Sequence, residues 1–139
     1  RRTFAVLSAV LMLAIGARAA DLVVIANPES PVAALSKEQV TDLFLGKATS
    51  LPGFCCPMLI DQPESSPLRE VFYSSVTGKS AAQAKSGWAK LYFTGKALPP
   101  KEGGSSDEIR KMVAGNKNML GYVEKSMADA SVKVVFGAP

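Results

Sequence analysis

Asp61-Gln62-Pro63-Glu64-Ser65-Ser66-Pro67-Leu68-Arg69-Glu70-Val71-Phe72 is the stretch on which the fold turns. The apolar run before it, Pro57-Met58-Leu59-Ile60, ends in polar residues and passes straight into a helix start. Pro67 suits the first helical position, where its missing N–H would have no partner anyway. That makes Ser66 the predicted N-cap. A strand end that feeds a hydroxyl-rich helix N-terminus is a common way to hold a small oxyanion, because the N–H groups of the first turn point ahead of the helix. An ordinary serine cap is the plainer reading of the same residues.

Working outward, strands alternate with helices, the pattern of an α/β protein. Leu22-Val23-Val24-Ile25-Ala26 reads as a buried strand closed by Asn27-Pro28. Ser36-Lys37-Glu38-Gln39 is a capping box, followed by Val40, Leu43 and Phe44 on one helical face and a stop at Gly46. Leu51-Pro52-Gly53 is a turn, and Cys55 to Ile60 the next predicted strand. A helix over 66–77 carries Leu68, Val71, Phe72 and Val76 on one side and ends at Gly78. Ser80 to Gln83 caps another, with Ala84, Trp88, Leu91 and Tyr92 as its apolar face and Gly95 as its end. Leu98-Pro99-Pro100 and Gly103-Gly104-Ser105 form a loop, and Ser105 to Glu108 a third capping box. Met119 to Val123 and Val132 to Phe136 are the last two strands. Trp88, Tyr92, Phe44 and Phe72 are expected in the core, and Tyr122 half-buried on its strand. Gly46-Lys47, Gly78-Lys79 and Gly95-Lys96 each fit a left-handed helix end followed by a lysine that complements the dipole.

Residues 1–20 read as a secretory signal peptide: Arg1 and Arg2, an apolar run from Phe4 to Ile15, then Ala17-Arg18-Ala19 for cleavage. That run is too short to cross a bilayer, which takes about 20 residues. Residues 21–139 are then the exported part, enough for one domain with one core, and the expected location is the bacterial periplasm. Arg1, Arg2 and Arg18 account for three of the sixteen basic residues and none of the twelve acidic ones. Without them thirteen basic residues face twelve acidic, and no clustered basic face points to nucleic acid.

The chain has no His, which removes the usual general base and the commonest metal ligand. Gly78-Lys79-Ser80 lacks the upstream glycine of a nucleotide loop, since Tyr73 stands there, and it joins two helices. Cys55-Cys56 are adjacent and have no zinc or thioredoxin spacing. They allow a bond to each other or a cross-link to a second chain, while strand alternation puts one toward the core and the other outward. Asp61 and Glu64 have no acidic partner at fixed helical spacing. No enzyme activity, metal or cofactor is expected.

Three segments in order resemble the phosphate ABC transporter substrate-binding proteins: Leu35 to Val40 with Leu43-Phe44-Leu45-Gly46-Lys47, the Asp61–Phe72 stretch, and Met119-Leu120-Gly121-Tyr122-Val123. The resemblance covers roughly residues 22–124. It implies a single three-layer-like lobe of a type II periplasmic binding protein, with a mixed sheet of four to five strands flanked by helices. By position, Ser65 and Ser66 fall where the family's phosphate loop offers hydroxyl and N–H groups. Pro67 replaces a threonine, so one hydroxyl and one N–H donor are lost. Asp61-Gln62 stands where the family has a strand-end arginine, and Arg69, one turn into the helix, is the replacement positive charge. The function so implied is weak phosphate or other oxyanion binding at Ser65, Ser66 and Arg69. A membrane transporter or another exported protein is the implied partner, and a dimer is compatible. The alternative is an accessory or interaction protein that keeps the lobe as a scaffold without a ligand.

Overall fold

A computed structural model describes residues 21–137; the predicted signal peptide lies outside them. Strand β1 (Leu22–Ala26) sits near the middle of a five-stranded mixed sheet and is buried along its whole length. β6 (Met119–Glu124) and β7 (Lys133–Gly137) run antiparallel to it on either side. β4 (Met58–Asp61) pairs parallel with β6, and β5 (Lys101–Glu102) pairs parallel with β4 at the sheet edge. The order is β5-β4-β6-β1-β7.

The unbroken apolar run of β1 follows from having both faces covered. Leu22, Val24 and Ala26 pack with Phe44, Phe72 and Tyr122 on one face. Val23 and Ile25 pack with Ile109 and Val113 on the other. Helices α1 (Lys37–Phe44), α2 (Pro67–Phe72) and α3 (Ala81–Phe93) form the first flanking layer, and α4 (Ser106–Ala114) forms the second. α4 lies close to β6 because Gly121 has no side chain: a Cβ there would come within 2.9 Å of Ile109 Cγ2. The α/β layout, the five strands and the flanking helices agree with the sequence expectation.

The caps form as read. Ser36 and Ser80 make full capping boxes with Gln39 and Gln83, and Ser66 accepts from the Leu68 N–H with Pro67 at the first position. Ser105 makes only half a box, accepting from the Glu108 N–H. Gly46, Gly78 and Gly95 all take the left-handed conformation, with φ of 77°, 73° and 71°.

Five expectations are corrected. The 66–77 helix is not one α-helix: α2 ends at Phe72 and a π-helical turn covers Tyr73–Thr77. There the Ser75 and Thr77 hydroxyls donate to the carbonyls of Val71 and Tyr73, a competing bond that loosens the helical ladder. The 55–60 strand is broken. Ser50–Leu51 (β2) and Phe54–Cys55 (β3) form a small hairpin around Pro52-Gly53, and Cys56 turns at φ 64° before Pro57. Cys55 and Cys56 are joined to each other, and both are exposed, so neither enters the core. Of the α3 face, Trp88 is buried and donates to the Phe44 carbonyl at 2.7 Å, but Tyr92 stands 54% exposed where the helix runs past the sheet. Tyr122 is fully buried instead of half-buried.

Phe72 is the keystone of the larger cluster. It stacks on Tyr122 with ring centroids 3.8 Å apart and meets Phe44 and Tyr73 edge-on. Phe72→Ala is expected to cost about 3–5 kcal/mol, measured by urea unfolding followed through the fluorescence of Trp88.

Candidate functional site

At the C-terminal end of β4 the chain turns under its own side chains. Asp61 and Gln62 are almost wholly buried, and a buried carboxylate must be paired or it is costly. The Asp61 carboxylate accepts from the Tyr73 hydroxyl at 2.6 Å and from the Tyr122 hydroxyl. The Arg69 guanidinium faces it at 3.7 Å. Gln62 donates its backbone N–H to the Tyr122 hydroxyl oxygen at 3.2 Å, and its side-chain amide to the Tyr122 carbonyl and the Ser106 hydroxyl. Four elements are tied together here: β4, β6, α2 with its π turn, and the start of α4.

Arg69 is positioned by this knot. Its Nη1 donates to the Gln62 carbonyl at 3.2 Å and lies 3.9 Å from the exposed Glu102 carboxylate. The N–H groups at the mouth of α2 are already used. Ser66 N–H donates to the Pro63 carbonyl, Leu68 N–H to the Ser66 hydroxyl, and Arg69 N–H to the Ser66 carbonyl. Pro67 has none. The polar groups left free at this place are side chains and not these helix amides.

In front of the α2 start lies a depression of about 280 Å³, walled by Ser66, Arg69, Glu64, Glu70, Lys85 and two alanines. The structure thus brings Ser66 and Arg69 together; Ser65 is exposed on the preceding turn, outside the lining. Lys85 faces the same space from α3 and pairs with Glu64. That lysine holds the Glu64 carboxyl below its ordinary range, chiefly by the hydrogen bond. Nothing local in the sequence marks Lys85, because its role depends on how α3 docks against α2. Glu70 accepts from the Ala81 N–H at 3.0 Å and so caps α3. Among the described residues no group of three or more Cys, Asp or Glu side chains converges as metal ligands.

Burial pushes the hydroxyl pKa of both Tyr73 and Tyr122 far above the usual phenol range, and the adjacent Asp61 carboxylate adds to it. Each phenol is held neutral in the folded state while an unfolded one ionises near about pH 10. Stability from this source is whole below that pH and is lost as pH rises beyond it, because only the unfolded chain then releases protons.

With this geometry in view, the fold is similar to about half of several solved phosphate-type substrate-binding proteins. No protein-family model matches the chain, and no curated protein does. Solved structures do. A phosphate ABC transporter substrate-binding protein from Clostridium perfringens, solved with bound phosphate, matches with a TM-score of 0.67 at 23% identity, over 86% of this chain and 46% of its own. An ABC-type phosphate transport receptor from Vibrio cholerae gives 0.65 at 20% identity, over 83% of this chain and 45% of its own. PstS from Borrelia burgdorferi gives 0.62 at 12% identity, over 83% of this chain and 46% of its own. The chain spans less than half the length of these receptors. The likeness is one of fold. Among the described residues, no helix is long and apolar enough to cross a membrane.

Replacing both Tyr73 and Tyr122 by Phe is expected to flatten the alkaline decline in stability, by up to about 1.4 kcal/mol per pH unit for each tyrosine. The same change lowers stability at neutral pH, since Asp61 loses its two hydroxyl donors. Urea unfolding of both proteins between neutral pH and pH values above the phenol range checks both effects.

Proposed function

We propose that this chain is an exported, periplasmic, non-enzymatic binding module of the phosphate-receptor type. Residues 1–20 are its export signal, and residues 21–139 its working domain. It binds phosphate or a related oxyanion weakly, through the Arg69 and Lys85 side chains and the Ser66 hydroxyl, with Ser65, outside the depression, taking no part. An ABC-type membrane transporter is the partner this reading implies.

The observation that carries the reading is the convergence of Arg69, Lys85 and Ser66 on one depression at the end of β4. The Lys85–Glu64 pair is mostly exposed on both sides, and exposed pairs contribute little because solvent screens them. An incoming anion displaces Glu64 at little cost. Arg69 faces three acceptors, fewer than the five N–H donors of a guanidinium. A hydrogen bond to a charged group contributes about 1.5–3 kcal/mol, so two or three contacts reach the roughly 4 kcal/mol of a millimolar affinity. Micromolar binding, at about 8 kcal/mol, needs a second surface to exclude water.

A second reading, an accessory or interaction protein without a ligand, is favoured by one specific observation. Each cation at the site already faces a carboxylate, and the α2 amides are taken. Titration calorimetry with phosphate and sulfate separates the two. The oxyanion reading expects millimolar binding that Lys85→Ala abolishes and Glu64→Gln tightens by up to about fivefold, the worth of the competing exposed pair. Absence of heat with either anion at tens of millimolar, in the wild type and in Glu64→Gln alike, assigns the scaffold role instead.

A further inference from the structure

The joint between β3 and β4 holds the chain's only two cysteines, bonded to each other and both exposed. A disulfide ordinarily stabilises by closing a loop of the unfolded chain, and the effect grows with the length of that loop. A bond between neighbours closes a loop with nothing inside it, so overall stability does not account for it. What it fixes is the local backbone. Successive residues of an extended strand point to opposite faces, whereas a disulfide needs its two Cβ atoms within about 3.5–4.5 Å of each other. Bond and extended strand therefore exclude each other at this pair.

The backbone carries the mark of that conflict. Cys56 sits at φ 64°, the one non-glycine in the left-handed region among the described residues. An L-residue is disfavoured there, and Pro57 pushes the residue before it toward extended conformations. The run from Cys55 to Ile60 has the pattern of a continuous strand, yet β3 stops at Cys55 and β4 starts only at Met58. Both flanks are anchored. Leu51 and Phe54 of the hairpin are buried in the larger core cluster, and the Met58 N–H donates to the Asn118 carbonyl at 2.7 Å. Cys56-Pro57 is the joint left between these anchors. With Met58 it forms one wall of an apolar cavity of about 500 Å³, which Leu43 and Trp88 also line.

We propose that Cys55–Cys56 is a thiol-exchange site that sets the backbone of this joint. Oxidised, it holds Cys56 left-handed; reduced by an external dithiol, it lets Cys56 relax toward the extended form and reshapes the cavity wall. One thiolate of the dithiol attacks a sulfur of the pair, forming a mixed disulfide and releasing the other cysteine as a thiolate. The dithiol's second thiolate then attacks its own sulfur in the mixed disulfide and releases the remaining cysteine. Two electrons pass to the protein, the dithiol leaves as a disulfide, and its two protons end on Cys55 and Cys56. Exposure opens the bond to attack, and no third cysteine is present to divert the exchange. Thiol–disulfide changes act as switches where they bias a local element with two arrangements. None of this requires an anion at the mouth of α2.

Thiol counting and amide NMR of the purified, oxidised chain test the switch. No free thiol is expected without reductant, and two per chain after dithiothreitol in native buffer. The reduced protein is expected to keep its urea midpoint. Its Met58 amide and Trp88 indole N–H resonances are expected to shift, the latter because that N–H donates to the Phe44 carbonyl beside the same cavity. Cys55→Ser with Cys56→Ser is expected to show the reduced pattern in oxidising buffer and to ignore dithiothreitol. Where that variant does not fold, the wild-type comparison decides by itself. Two thiols before any reductant, or a bond that yields only after unfolding, overturns the proposal. Reduction that leaves Met58 and Trp88 unmoved overturns it as well, because the bond then governs nothing beyond its own two residues. So does loss of cooperative unfolding on reduction, which makes the bond a structural staple.

Discussion

The buried carboxylate of Asp61 is the constraint around which this lobe is arranged. A carboxylate removed from water needs donors on both oxygens, and they come from distant parts of the chain. Tyr73 supplies one from the π turn, Tyr122 another from β6, and Arg69 adds a positive charge from α2. The strand, the turn and the helix cannot move independently while this carboxylate is satisfied. The aromatic packing follows from the same arrangement, because Phe72 lies between the two tyrosines and stacks on one of them. Polar and apolar ties thus meet at a single point, where β4 hands over to α2.

The π turn becomes intelligible in that light. A continuous α-helix over 66–77 would satisfy the apolar spacing of Leu68, Phe72 and Val76, but Tyr73 must also reach Asp61. Widening the helix by one residue after Phe72 changes the direction of the side chains that follow. Ser75 and Thr77 bond the freed carbonyls through their hydroxyls, so the wider turn leaves little unsatisfied. Irregular helical turns of this kind cluster at functional sites, and this one brings the Tyr73 hydroxyl to the carboxylate that Arg69 also faces.

How much of this was legible in the sequence depended on the range of the interaction. Ser36, Ser66 and Ser80 announced their helices because a cap needs only residues two or three places on. Gly46, Gly78 and Gly95 announced the ends for the same local reason. Nothing in the β-looking run 55–60 marks its break, because Cys56 takes a positive φ there without being a glycine. β5 leaves no mark in the sequence, since two exposed residues carry no apolar alternation. Tyr122 looked half-buried because nothing near it in the chain reveals Asp61, sixty-one residues away. At the site, Ser66 was legible from the helix start itself and Arg69 from the family resemblance, whereas Lys85 joined them only through the docking of α3.

That division has a chemical consequence. Arg69, the cation the sequence pointed to, is also the one most committed to the fold, since it compensates Asp61 and accepts its position from Gln62. Removing it would leave a buried carboxylate short of charge, a cost of the kind that exceeds the worth of the pair itself. Lys85 carries no such duty; it is 64% exposed and bound only to Glu64, also at the surface. A structural cation offers a fixed direction and an exchangeable one offers free charge, and a weak anion site needs both. On the proposed oxyanion reading, selectivity is set by Arg69 and its buried partners, while affinity is tuned by the competition between Glu64 and the ligand for Lys85. A surface that expelled water from the depression would strengthen the ligand's contacts with both cations, because charge interactions grow as the local dielectric falls.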